Sequence, residues 1–203
     1  MGNIALLVVD VQNALMAERP ANGEAVVRNI RRLMDAARKH HKELLFVRHD
    51  DGKGTQLEHG TTGWQIYAEV APQEGEYIVE KRYNSAFHKT DLKAYLDSKR
   101  VDTLLLTGMQ TEYCINATLH SAFDNGYTIL IPEGTNTTFD NDYLSGEKLC
   151  EYYNFHLEQP VCKGDSACRS GSAFGAVVPI RLCPLKSKKD PDRISGCRQA
   201  AAL

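Results

Sequence analysis

The chain has 203 residues, with Lys+Arg 24 against Asp+Glu 26 and a formal net charge of −2. That is enough for one sizeable core and short for two, and it supplies no basic field for phosphates, so no nucleic acid partner is expected. No run approaches the roughly 20 apolar residues that cross a bilayer, and the N-terminus opens on a strand instead of a charged leader with an apolar core, so no membrane and a cytoplasmic location are expected.

Residues 4–11, Ile-Ala-Leu-Leu-Val-Val-Asp-Val, form a continuous apolar run ending in an acid, the pattern of a strand buried on both faces of a parallel sheet. Between Gly23 and His41 the apolar residues Val26, Val27, Ile30, Leu33, Met34 and Ala37 recur at helical spacing and predict an amphipathic helix. Glu43–His49 reads as the second strand, followed by a long polar, Gly-rich loop, a short strand near Tyr77–Glu80 and a helix from about Thr90 to Ser98. Val101–Thr107 is a further strand. The turn Gly108-Met109-Gln110-Thr111 leads into a helix to about Asn125, where Gly126 suits the C-terminal cap. Tyr127–Pro132 supplies a fifth strand, and a helix runs from Ser145 to about Tyr153. Strands alternating with helices imply parallel βαβ units and an α/β fold.

In such a sheet the ligand site lies beyond the carboxyl ends of the strands. Asp10 closes the first strand, Lys81 follows the third, and Cys114 lies just after the turn that ends the Val101 strand. Cys114 is expected in the first turn of a helix capped by Thr111, where N–H groups and the dipole favour a thiolate, and Lys81 would lower the thiol further. Asp10 can accept the thiol proton and return it to a leaving group; no His is placed alike. Spacing alone also allows a capping acid, a solvated Lys and a buried Cys acting as a small hydrophobe.

Three separated segments carry more. Leu-Leu-Val-Val-Asp-Val-Gln-Asn at 6–13, Lys81 with Asn84-Ser85-Ala86-Phe87, and Thr107-Gly108-Met109-Gln110-Thr111-Glu112-Tyr113-Cys114 resemble the signatures of isochorismatase-like cysteine hydrolases, in the same order, over residues 4–153. The resemblance implies a three-layer α/β/α, Rossmann-like parallel sheet of five to six strands with helices on both faces. It implies a triad of Asp10, Lys81 and Cys114, a cis peptide at Met109–Gln110, and an oxyanion hole built from the N–H groups of Gln110 and Cys114. The expected reaction is attack of Cys114 on the carbonyl of a small amide, loss of ammonia or an amine, and hydrolysis of the thioester. Two other readings are a vinyl ether hydrolase that leaves Cys114 a bystander and a non-catalytic binding subunit.

Nicotinamidases in this family resemble one another in an Asp-x-His motif with a second His that hold a divalent metal. Here the loop reads Val47-Arg48-His49-Asp50-Asp51-Gly52 with His59 beyond it, the Asp-x-His order is absent, and neither a metal nor any other cofactor is expected. The same loop is the natural lid, with Trp64 as pocket wall, core or dimer contact. Gln12 and Tyr113 are expected at the substrate, and Asn13 and Thr111 as caps. Family resemblance also implies a homodimer or higher homo-oligomer.

The sequence divides into residues 1–154, the hydrolase domain, and an atypical tail, 155–203. Four of the six cysteines, Cys162, Cys168, Cys183 and Cys197, fall in that tail, with no Cys-x-x-Cys pair and no recognised ligand spacing. Relatives continue here into a last strand. Back-translation of residues 155–166 with a one-nucleotide shift permits FIWNSRYAKVIP, so a frameshift in the gene or its record is expected.

Overall fold

A computed structural model describes residues 3–161, with side chains through 155. Most of the tail, its cysteines, the expected frameshift and the fate of a last strand lie outside the described residues.

β1 (Asn3–Val9) sits at the centre of a parallel sheet because its side chains are apolar toward both faces. Ala5, Leu7 and Val9 point to one core, which includes Leu92 and Leu96 of α3 (Leu92–Ser98) and Leu119 and Ala122 of α4 (Asn116–Asp124). Leu6 and Val8 point to the other, against Val26, Ile30, Leu33 and Met34 of α2 (Gly23–Lys39). This period-2 division produces the three layers. A short α1 (Asn13–Ala17) follows β1, α2 returns the chain to β2 (Glu43–His49), and β3 (Tyr77–Lys81) comes after the long loop. β4 (Val101–Met109) and β5 (Thr128–Leu130) complete the order β3-β2-β1-β4-β5. The order reverses between β1 and β4, which opens the crevice where α/β sheets hold ligands.

A sixth strand, β6 (Asn136–Thr137), pairs with Gly108 and Met109 at the end of β4. It is too short and too polar to read from the sequence. α5 (Gly146–Val161) runs past the expected end at Tyr153, in keeping with the helix propensity of Leu157, Glu158 and Gln159. Gly126 has φ +89°, and its N–H caps α4 on the Phe123 carbonyl, as expected.

β4 extends two residues beyond the expected Thr107, to Met109. Gly108 has φ +116°, and a Cβ there would stand 2.0 Å from the Val9 carbonyl oxygen. Only glycine lets the ends of β1 and β4 approach this closely. Among the described residues no helix is long and apolar enough to cross a membrane.

Candidate active site

Asp10 leaves β1 with φ 52°, a left-handed conformation that Asp tolerates better than most residues. Lys81 is the last residue of β3, and Cys114 lies in a π-helical turn, Thr111–Ile115, between β4 and α4. Three chain segments thus deliver an acid, an ammonium and a thiol to the crevice. The expected start of an α-helix is replaced by this wider turn, and its N-cap is Gln110, with no side-chain cap. Thr111 instead donates to the Thr137 carbonyl at 3.1 Å and meets Cys150 Sγ at 3.3 Å. Asn13 also caps nothing; its Nδ2 donates to the Thr62 carbonyl.

Lys81 Nζ lies 2.7 Å from Asp10 Oδ2 and donates to Cys114 Sγ at 3.2 Å. Both charged side chains are buried. The ion-pair approach is oblique, so neither Asp10 oxygen receives an aligned hydrogen bond from the described residues.

The Cys114 thiol departs from the sequence expectation. Burial first, and then the Asp10 carboxylate, push it up to about 12, outweighing the Lys81 ammonium. The resting sulfur is therefore protonated. Burial opposes the Lys81 charge, yet Asp10 and Cys114 together raise the ammonium above its ordinary value.

The Met109–Gln110 peptide is cis. Among the described residues no backbone acceptor outside the helices and strands takes the N–H of Gln110, while the N–H groups of Tyr113 and Ile115 both go to the Gln110 carbonyl. The Gln110 N–H, at the start of the turn that carries Cys114, is thus an uncommitted backbone donor. Asn84 Oδ1 lies 3.9 Å from Sγ; the sequence offered this residue only as part of a motif.

The other expected substrate contacts divide. Tyr113 is 54% exposed beside Cys114. Gln12 is 0% exposed, and its amide is spent on the His49 carbonyl and N–H and the Trp64 carbonyl, so it ties β2 to the loop instead of facing a substrate. Trp64 is buried, with the Arg48 guanidinium 3.5 Å from its ring centroid and the His59 ring against it at 4.2 Å. Glu80 lies against both side chains, reaching Arg48 Nη2 at 2.5 Å and His59 Nε2 at 3.5 Å. A cavity of about 390 Å³ opens beside Lys81, lined by Asp50, His59, Glu80, Arg82, Tyr83, His88 and Lys89.

The residues do not fit a divalent metal. Asp50 is occupied by Arg82 and by the N–H groups of Gly52 and His59, and His49 Nε2 faces Asp51 Oδ1 at 2.6 Å. Donor atoms of Asp10, His49 and Cys114 do lie within 4.8 Å of one another. The position among them belongs to Lys81 Nζ, which is 2.9 Å from His49 Nδ1 and already supplies the cation. His49, at the end of β2, is the histidine beside the triad that the sequence did not reveal.

The sequence profile of the isochorismatase domain matches residues 4–145. Streptothricin hydrolase of Streptomyces noursei is 33% identical over 138 residues, 67% of this chain and 50% of that protein. The chain thus aligns with only about half the length of this relative. N-carbamoylsarcosine amidase of an Arthrobacter species is 39% identical over 71 residues, 35% of this chain and 27% of that enzyme. A crystal structure of an isochorismatase family protein superposes with a TM-score of 0.74 at 28% identity, covering 78% of this chain and 95% of its own.

Proposed function

The chain belongs to the isochorismatase domain family of hydrolases, and from that premise we propose that it is a cysteine-dependent hydrolase of C–N bonds in a small amide. One observation carries the reading: a buried thiol 3.2 Å from an ammonium that also pairs, at 2.7 Å, with a carboxylate lacking aligned donors. The amidase relative supports it further.

Because the resting sulfur is a thiol, its proton must leave as the substrate arrives. Asp10 takes that proton while Sγ attacks the carbonyl carbon, and Lys81 remains an ammonium donating to sulfur throughout. The oxyanion of the tetrahedral intermediate is held by the N–H groups of Gln110 and Cys114. Collapse breaks the C–N bond, and Asp10 passes its proton to the departing ammonia or amine. Water then adds to the thioester, giving its proton to Asp10, and breakdown returns that proton to sulfur and releases the acid. No step requires a metal or other cofactor. Tyr113, exposed next to Cys114 in the chain, and Asn84, with Oδ1 3.9 Å from its sulfur, are the side chains proposed to border the acyl group. The protein is proposed to act in the cytoplasm as a homodimer or higher homo-oligomer, which its solution mass tests.

A panel of small amides assayed for ammonia release identifies the substrate. On any amide that turns over, Cys114→Ala is expected to abolish activity, and substantial residual turnover removes the nucleophile from the scheme.

A further inference from the structure

Lys81 has three ammonium protons, and three acceptors surround it. Asp10 Oδ2 at 2.7 Å and Cys114 Sγ at 3.2 Å are used by the chemistry above; His49 Nδ1, at 2.9 Å, is not. We propose that His49 is a positioning residue for the nucleophile, its Nδ1 lone pair taking one proton of Lys81 and so fixing the ammonium between the Asp10 carboxylate and Cys114 Sγ. The inference rests on the cysteine-hydrolase reading.

An ammonium can only donate, so the imidazole nitrogen facing it must be bare. Asp51 supplies the reason that it is: its Oδ1 lies 2.6 Å from His49 Nε2 and accepts the proton there, selecting the tautomer with the lone pair on Nδ1. The ring is mostly enclosed, with 12% of the side chain exposed, so water is a poor substitute acceptor. The backbone on either side does not depend on the ring. Gln12 Oε1 accepts the His49 N–H at 2.8 Å, and Gln12 Nε2 donates to the His49 carbonyl at 3.0 Å, so the end of β2 stays clamped whatever side chain stands at 49.

Without His49 the buried ammonium keeps an unpaired proton, which costs the charged form and frees the head group to turn away from sulfur. The thiolate formed as Cys114 attacks then loses part of the positive charge that Lys81 holds beside it. A ring that merely fills space predicts no such effect, provided bulk is preserved.

The test compares His49→Leu, which keeps bulk and removes the acceptor, with His49→Asn, whose Oδ1 restores an acceptor near the position of Nδ1. The readouts are the iodoacetamide alkylation rate of Cys114 by peptide mapping, the melting temperature, and kcat with KM on an amide found by the panel. His49→Leu is expected to slow alkylation and to lower kcat by roughly 10-fold or more, with KM little changed, and His49→Asn to recover most of both. Wild-type alkylation and kcat in a folded His49→Leu protein overturn the proposal, as does a folded His49→Asn protein no better than His49→Leu. Should His49→Leu not melt cooperatively, His49→Ala against His49→Asn gives the same comparison. Alkylation reads the sulfur without turnover, so the two readings fail separately: an active Cys114→Ala protein sinks the hydrolase scheme while the His49 series still reports on Lys81.

Discussion

Replacing Asp10 with Asn should move two properties of Cys114 in opposite directions. Asp10 and the Cys114 sulfur lie within 4.8 Å, and a unit charge at that distance in an effective dielectric near 20 opposes the thiolate by about 3.5 kcal/mol, or roughly 300-fold in its equilibrium. Asn keeps the side-chain shape and tolerates the left-handed φ of 52° at position 10. The thiol should therefore become more acidic, drawn down from about 12. A less basic sulfur is a weaker nucleophile, which takes back roughly 10-fold, so iodoacetamide should label Cys114 at pH 8 about 10- to 30-fold faster than in the wild type. Turnover should meanwhile fall by about 10²–10⁴, because the group that receives and returns the proton is gone. The assay pairs labelling kinetics with ammonia release on the same preparation. Slower or unchanged labelling, or retained turnover, refutes the assignment of Asp10 as both the electrostatic brake on the thiol and its base.

Gln12→Ala removes an amide that binds three backbone groups in a buried position, and is expected to cost roughly 2–4 kcal/mol in urea unfolding; a protein with normal stability and only a raised KM would restore a substrate role to Gln12. Gly108→Ala must displace the Val9 carbonyl and adopt φ +116°, so a loss of roughly 3–5 kcal/mol is expected by thermal or urea melts, with near-normal stability as the refuting result. Burial pushes the Glu76 carboxyl up, but hydrogen bonds from Arg38 and the Gln73 N–H outweigh it and hold the carboxyl below its ordinary value. The stabilisation is present above the ordinary carboxylate range and disappears as pH falls through the depressed value. Glu76→Gln should therefore lose about 1–2 kcal/mol at pH 7, with the gap to wild type closing as pH falls through and below the ordinary carboxylate range; a gap independent of pH counts against the pair.

The sheet was readable because its strands are apolar on both faces, and β2 is found between its expected ends, Glu43 and His49. β6 left no such trace, since Asn136 and Thr137 are polar and owe their pairing to the exposed end of β4. Asp10, Lys81 and Cys114 stood out as residues near strand ends, and the resemblance of three motifs joined them into a triad; the structure brings the three side chains together. Their protonation could not be read, because desolvation depends on everything packed around Cys114 and is invisible in a helix-start argument. Gln12 misled because closeness to Asp10 in sequence says nothing about direction: its amide turns inward to the backbone. His49 was weighed as a metal ligand, and its contact with Lys81 spans 32 positions that only the β2–β3 register joins, where His49 lies opposite Lys81.

The contact of Gly108 with Val9 has an evolutionary corollary. It lets β1 and β4 end against each other main chain to main chain, and thereby sets the gap between the acid following one strand and the thiol following the other. Much of the cavity wall comes instead from the loops that follow β2 and β3. Those loops can be rewritten, lengthened or exchanged without altering the reach of the proton transfer, so a lineage built on this frame can acquire new substrates while inheriting its reactive geometry intact.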